Sequence, residues 1–268
     1  MPAATARRQP VHSPQSNYRP TRKSESDLVT IPNRSWAAVK RRVDEKWQVE
    51  YAPHHSILGQ NGAGKSHLIV HGLLPLCTRD NVCIIDSKGD DPVLGSSGAK
   101  PVRAIPSRLR RAMDNDRPKD GWFRLIQWED TRKAQDQVGR TLERIYDEGN
   151  WILVLDETRA ISDPRSPGLG LQPLLDRIWL RGRSRHIAVI ASTQAPRWVP
   201  TSFYDQCQFV WCSRIRDERA HQRIMEIGSM TRAHIPHIAG VRKRRWLYMD
   251  DEDEDTWVAE TGLPGSRS

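Results

Sequence analysis

Eight consecutive residues constrain this chain more than any others: Gly59-Gln60-Asn61-Gly62-Ala63-Gly64-Lys65-Ser66. They fit G-x-x-x-x-G-K-[ST], a loop whose glycines let the backbone curl so that successive N–H groups point at phosphate oxygens. From average composition, a chain of this length matches by chance about once in 100. The flanks match the mechanism. An apolar strand, Ser56-Ile57-Leu58, precedes the loop, and an apolar helical face, Leu68, Ile69, Leu73 and Leu74, follows it. The helix start adds its positive dipole end to the loop amides. Gly59, Gln60, Asn61, Gly62, Ala63, Gly64, Lys65, Ser66 and the adjoining His67 are therefore the candidate nucleotide-binding residues. Lys65 has the charge to neutralise β- and γ-phosphates, and the Ser66 hydroxyl can ligate Mg²⁺.

A second segment completes that chemistry. Trp151-Ile152-Leu153-Val154-Leu155-Asp156-Glu157 is a buried-strand pattern ending in two carboxylates. Asp156 is placed for the Mg²⁺ shell, and Glu157 for polarising an attacking water. Charged residues often mark strand ends, so the pair gains its meaning from following a phosphate loop. A third strand ends Ala191-Ser192-Thr193-Gln194-Ala195-Pro196. Its Gln194 reads either as loop or as a γ-phosphate sensor, because neighbouring strands deliver their C-terminal ends to one crevice. Upstream lie Arg177, Arg181, Arg183 and Arg185. Such a cluster is either a solvated helix end that meets the dipole, or the source of an arginine finger for a neighbour's nucleotide.

The surrounding pattern alternates strand and helix. Apolar runs at 55–58, 82–86, 123–128, 152–156, 187–192 and 209–212 read as strands. Ala134, Val138, Leu142 and Ile145 trace one helix, Leu171 to Trp179 a second and Asp217 to Ile227 a third. Near-continuous apolar strands between helices imply an α/β fold with a mostly parallel sheet covered on both faces. The reading divides the chain into a basic Pro/Ser/Arg-rich arm over 1–35, a folded domain over 36–249 and a solvated tail over 250–268.

Composition excludes some classes. The longest clean apolar run, Ile187 to Ala191, is far too short for a bilayer, and the mean hydropathy is −0.69. The first residues lack the apolar region of a secretory signal. Cys77, Cys83, Cys207 and Cys212 form no CxxC pair and read as buried reduced thiols, so a soluble cytoplasmic protein is expected. The net charge is +9, and it rises to +15 when the acidic run Asp250 to Asp255 is set aside. A body so basic attracts polyanions, and counterion release makes nucleic acid the expected partner. Candidate contacts are Arg197 and the Arg108, Arg110, Arg111 group. Solvated surface charge is the plainer reading of both, and a core position the plainer one for Trp198.

With these residues in hand, the chain resembles the FtsK–HerA superfamily of P-loop DNA-pumping ATPases. Pro53 to Gly59 looks like the entry to its P-loop. Ile84-Ile85-Asp86-Ser87-Lys88-Gly89-Asp90 is similar to its "apolar-apolar-D-P-K-G-D/E" segment, with Ser87 where Pro is usual. Ile152 to Glu157 matches its Walker B strand. Gly182-Arg183 followed by Ile187 to Pro196 resembles "R…G-I–apolar strand–T-Q-R-P", with His186 where Gly is common and Ala195 where Arg is common. The likeness covers about residues 50–225.

The resemblance implies a RecA-like (ASCE) domain, ATP and Mg²⁺ as cofactors, Gln194 as sensor and Arg183 as a finger acting in trans. It further implies a hexameric ring that moves double-stranded DNA without sequence preference. A portal, membrane or transfer complex would be its docking partner, in the host bacterial cytoplasm or on the virion if the chain is phage-encoded. Two alternatives stand beside it: a phage assembly or export ATPase resembling the zonula occludens toxin group, and a nucleotide-gated DNA-binding adaptor.

Overall fold

A computed structural model describes residues 30–47, 52–77, 81–107, 121–127, 129–165, 168–225, 231–242, 244–250 and 257–262. Most of the basic arm, the Arg108–Arg111 group, the acidic run after Asp250 and the last six residues lie outside them.

Helix α1 (Trp36–Trp47) leads to strand β1 (His55–Leu58), the phosphate loop and helix α2 (Lys65–His67). The helical run then continues π-wound over Leu68–Leu73 and in 3-10 form over Leu74–Leu76. Next come β2 (Asn81–Asp86), α3 (Pro92–Gly95), β3 (Lys100–Val102), β4 (Trp122–Ile126), α4 (Thr131–Glu148) and β5 (Trp151–Leu155). After α5 (Thr158–Ser162) and α6 (Gln172–Arg181) follow β6 (Ile187–Thr193), α7 (Ser202–Asp205), β7 (Phe209–Cys212), α8 (Glu218–Met225) and α9 (Ile235–Gly240). A hairpin of β8 (Arg245–Asp250) and β9 (Trp257–Gly262) closes the chain.

The strands form one sheet in the order β3-β4-β2-β5-β6-β1-β7-β8-β9. From β3 to β7 every pairing is parallel, and β8 and β9 add antiparallel at one edge. Both faces of the sheet are buried from β2 to β7, while the edge strand β3 is largely exposed. Along β5, Trp151, Leu153 and Leu155 pack with Val138, Leu142 and Ile145 of α4 and Leu175 and Ile178 of α6. Ile152 and Val154 alternate to the other face, where Val39 and Val43 of α1 and Leu68, Ile69 and Leu73 cover them. Helix α4 starts where the Asp130 carboxylate accepts from Lys133 N (2.9 Å), and stops at Gly149 and Asn150, both at positive φ.

β6 lies between β1 and β5, so the phosphate-loop strand and the Asp-Glu strand are separated by the strand that carries Gln194. That order is the RecA-like, ASCE arrangement. All four cysteines are buried free thiols. Among the described residues no helix is long and apolar enough to cross a membrane.

The structure departs from expectation at the edges of the sheet. The folded part runs past residue 249. Asp250, the first member of the acidic run, is buried in β8 and paired with Arg42 Nε at 2.7 Å. Trp257–Gly262 then pairs with β8. The six-residue strand is overshadowed in the sequence by the acids before it. At the other end, Ile31 packs on the core and Asn33 Oδ1 accepts from Arg245 (2.8 Å), so the arm joins the fold before residue 36.

Candidate active site

Strands β1, β2, β5 and β6 run in one direction, so their C-terminal ends put the phosphate loop, Asp86, Asp156-Glu157 and Thr193-Gln194 on one edge. Gly62 and Gly64 have φ of +74° and +97°, the left-handed region a curled loop requires. A Cβ on Gly59 would stand 3.0 Å from that of Ala63 and 3.2 Å from that of Ser213, so the entry turn admits no side chain without a shift.

A cavity of about 310 Å³ opens over this loop. Asn61, Gly62, Gly64, Lys65, Ser66 and His67 line one side, and Lys88, Asp91, Val93 and Arg244 the other. Lys65 is folded back on its own loop, where Nζ donates to Gly59 O (2.9 Å) and Gln60 O (3.2 Å). Burial lowers its pKa to about 8, against the opposing pull of Glu157 and with a push from Lys88. Ser66 Oγ donates to Asp91 Oδ2 (2.8 Å), while Asp91 Oδ1 caps α3 through Val93 N and Leu94 N. Burial opposes the Asp91 charge, but these bonds outweigh it and hold its pKa below the usual carboxylate range.

Asp156 is 1 % exposed, and burial raises its pKa, with Lys88 pulling the other way. Its Oδ2 lacks a hydrogen-bond partner, with Lys88 Nζ 3.5 Å away. Among the described residues no three His, Cys, Asp or Glu side chains could hold a metal by themselves. A buried carboxylate oxygen without a hydrogen-bond partner, at the same strand edge as the Ser66 loop, nevertheless fits Mg²⁺ that takes its remaining ligands from phosphate and water.

Glu157 is held by the neighbouring strand. Its Oε1 accepts from Thr193 Oγ1 (2.8 Å) and its Oε2 from Gln194 N (3.1 Å). Asp86 organises the β2 loop, accepting from Lys88 N and Gly89 N, and pairs with Arg124 at 3.1 Å.

Arg183 lies elsewhere. It precedes β6, whose seven residues put it roughly 20 Å from the loop edge at ~3.3 Å per residue. Its charge is felt by His54, at the opposite end of β1 from the phosphate loop. Burial lowers the His54 pKa to about 3, and the neutral ring accepts from Val189 N and bonds Trp179 O. Of the other arginines, Arg185 donates to the last carbonyls of α4, Tyr146 O and Asp147 O, and Arg177 stacks on the Tyr146 ring (3.8 Å). These two serve the packing of α4.

Three residues at the cavity escape sequence reasoning. Lys88 stands in a segment whose likeness gives no role to single side chains, and Asp91 lies just beyond it. Arg244 is near the phosphate loop only because β8 brings it there. Its φ of +64° turns it toward the loop, where its Cγ would lie 3.9 Å from a Cβ on Gly64. One expectation is overturned: Trp198 is 38 % exposed rather than in the core.

No family model and no curated protein matches the sequence. Solved structures do match. The genome packaging NTPase B204 from Sulfolobus turreted icosahedral virus 2, in complex with sulfate, superposes with a TM-score of 0.57 at 14 % identity, covering 79 % of this chain and 97 % of that one. The chain shares the fold of that ATPase. VirB4 of Thermoanaerobacter pseudethanolicus has the same fold at a TM-score of 0.53 and 14 % identity, over 80 % and 90 % of the two chains. The cytoplasmic domain of the Thermomonospora curvata Type VII secretion ATPase EccC matches at 0.51 and 14 %, with 81 % of this chain corresponding to 26 % of that one.

Proposed function

We propose that this protein is an ATP-driven translocase of double-stranded DNA that works as a ring of subunits, in genome packaging or DNA transfer. The observation that carries the reading is the two-point hold on Glu157 by Thr193 and Gln194, facing a phosphate loop across the same strand edge. A binding-only site has no use for a carboxylate fixed this way, whereas a hydrolase needs one aimed at water. The likeness to B204, a genome packaging NTPase also solved in complex with ATP-gammaS, supports ATP as the nucleotide and DNA as the load.

The residues divide the work. Lys65 exchanges the carbonyls of Gly59 and Gln60 for β- and γ-phosphate oxygens, and the loop amides with the Gly62 and Gly64 turns cradle them. Mg²⁺ held by Ser66 Oγ and Asp156 supplies charge neutralisation on those phosphates when bound. Glu157 takes the proton of the attacking water, and Gln194 orients that water or the γ-phosphate. Arg183 stands too far from its own loop edge to act there, and in this reading it serves the nucleotide of a neighbour. A finger acting in trans fits a closed ring or filament of subunits, and a hexamer is the form we propose.

Steady-state ATP hydrolysis with and without long linear duplex, across a salt series, tests the reading. Strong stimulation by duplex that fades at high salt and is abolished in Lys65→Ala supports it. Hydrolysis indifferent to DNA overturns it and favours a protein-assembly or export role, the direction in which the likeness to EccC points.

A further inference from the structure

Among the described residues only two large apolar side chains stand exposed, Leu180 and Trp198. Trp198 is surrounded by positive charge. The guanidinium carbons of Arg165, Arg197 and Arg159 lie 4.8, 4.9 and 5.4 Å from the centre of its ring. Three like charges around one ring repel one another unless something negative compensates. The carboxylate that does so is Asp163, which accepts from Arg165 Nε (2.8 Å) and NH2 (3.0 Å) and from Arg159 Nε (3.4 Å). These bonds hold the Asp163 pKa well below the usual range. One acid against three bases leaves the patch positive, and Arg197 pairs with no carboxylate among the described residues.

The patch is anchored. Tyr204 Oη donates to Pro196 O (2.6 Å), and Arg223 donates to Val199 O (3.3 Å), which fixes the turn on both sides of Trp198. Leu169 N donates to Ala160 O and Gly170 N to Asp163 O (both 3.0 Å), tying down the loop that bears Arg165. Stacking on an aromatic face leaves a guanidinium's N–H groups available for a phosphate; Arg197 offers all of its own, while Arg165 and Arg159 already spend some of theirs on Asp163.

We propose that Trp198, Arg159, Arg165 and Arg197 form the clamp that grips the phosphodiester backbone of DNA. The inference rests on the translocase reading and adds to it the contacting residues and the route of coupling. Arg159 is two residues beyond Glu157, and Arg197 is three beyond Gln194, whose N–H holds the Glu157 carboxylate. Both arms of the clamp are thus continuous with the two loops that meet at the hydrolytic acid. A change in the bonds of Glu157 during turnover is felt by both arms through a few residues of backbone.

The test is binding of a short fluorescein-labelled duplex by anisotropy across a salt series. Wild type is compared with Trp198→Ala, Trp198→Phe and Arg197→Gln, each checked for an unaltered thermal midpoint. Removing the ring releases three cation–π contacts, so Trp198→Ala should bind about tenfold more weakly, while Trp198→Phe keeps most of the affinity. Arg197→Gln, at an exposed position, should flatten the slope of log K against log salt by about 0.9, one phosphate contact. In hydrolysis assays the DNA concentration for half-maximal stimulation should rise in step with the loss of affinity. If wild type binds duplex but Trp198→Ala binds as tightly and Arg197→Gln keeps the full slope, the clamp is refuted and the translocase reading stands. If wild type binds no duplex, both fall.

Discussion

Thr193 Oγ1 donates to Glu157 Oε1 at 2.8 Å, joining the end of β6 to the residue just beyond β5. The same hydroxyl accepts from Ala195 N at 3.1 Å, which aims its proton at the carboxylate. A general base works only when it is held in place, so under the proposed function this bond serves the reaction as well as the fold. Thr193→Val keeps the shape and deletes the donor. Losing one hydrogen bond to a charged acceptor, about 1.5–3 kcal/mol, should lower kcat about tenfold or more. The KM for ATP should change little, because Thr193 does not line the nucleotide cavity. Glu157→Gln should lose roughly 10²–10⁴ in kcat and still bind ATP. An unchanged kcat in Thr193→Val would remove the positioning role.

Arg183 and the phosphate loop occupy opposite ends of the same sheet, and this separation gives a test of subunit sharing. Lys65→Ala retains the finger and loses the site, and Arg183→Ala the reverse. Each alone should be inactive, with Arg183→Ala down by ~10³ or more if the arginine acts on the transferring phosphate. Mixed, the two should regain part of the wild-type rate, because some interfaces join an intact site to an intact finger. A mixture as inactive as its components would refute the trans assignment.

The sequence makes the centre of the protein legible and its margins obscure. The phosphate loop, Asp156-Glu157 and Thr193-Gln194 are readable because each is a short run, fixed in spacing by the turn at the end of a buried strand. Strands β1, β2 and β5 to β7 announce themselves as apolar runs, since a parallel sheet covered on both faces needs them continuous. β3 is three residues of edge strand containing Pro101, and β9 follows an acidic run, so neither carries a strong pattern. Arg244 is distant in sequence from everything it faces, and no local signal could place it at the cavity. Trp198 is misread because a tryptophan near an apolar strand is ordinarily core; here the ring stands at the surface with three arginines around it.

Arg244 is the cavity residue whose removal should separate binding from chemistry. It is exposed, it reaches over Gly64 from the strand-end of β8, and its charge depresses the basicity of His67 after burial and His71. With phosphates in the loop, that charge faces the nucleotide. Arg244→Ala should weaken binding of a fluorescent ATP analogue about tenfold, the worth of one charge-assisted hydrogen bond, with a smaller effect on kcat. Arg244→Lys should recover part of the loss. Equal affinities in all three proteins would place Arg244 outside the nucleotide site.

Lys65 gives the protein a pH response whose sign follows from its burial. Its pKa stands at about 8 instead of 10.5, because desolvation penalises the ammonium more than Glu157 and Asp156 favour it. Above about 8 the native, unliganded protein has released a proton that the unfolded chain still holds. The contribution of this group to stability therefore rises with pH from there toward 10.5, the window in which the unfolded state binds more protons. Phosphate oxygens act oppositely, since they favour the charged lysine. ATP binding should then take up a proton at about pH 9, and the uptake should vanish as pH falls below 8. Affinity should decline over the same range. Calorimetry in two buffers of different ionisation enthalpy reads the uptake directly: heats that differ at high pH and converge at neutral pH are expected. Identical heats at about pH 9 would mean that Lys65 stays charged without nucleotide, and that the two carbonyls it donates to are enough to offset its burial.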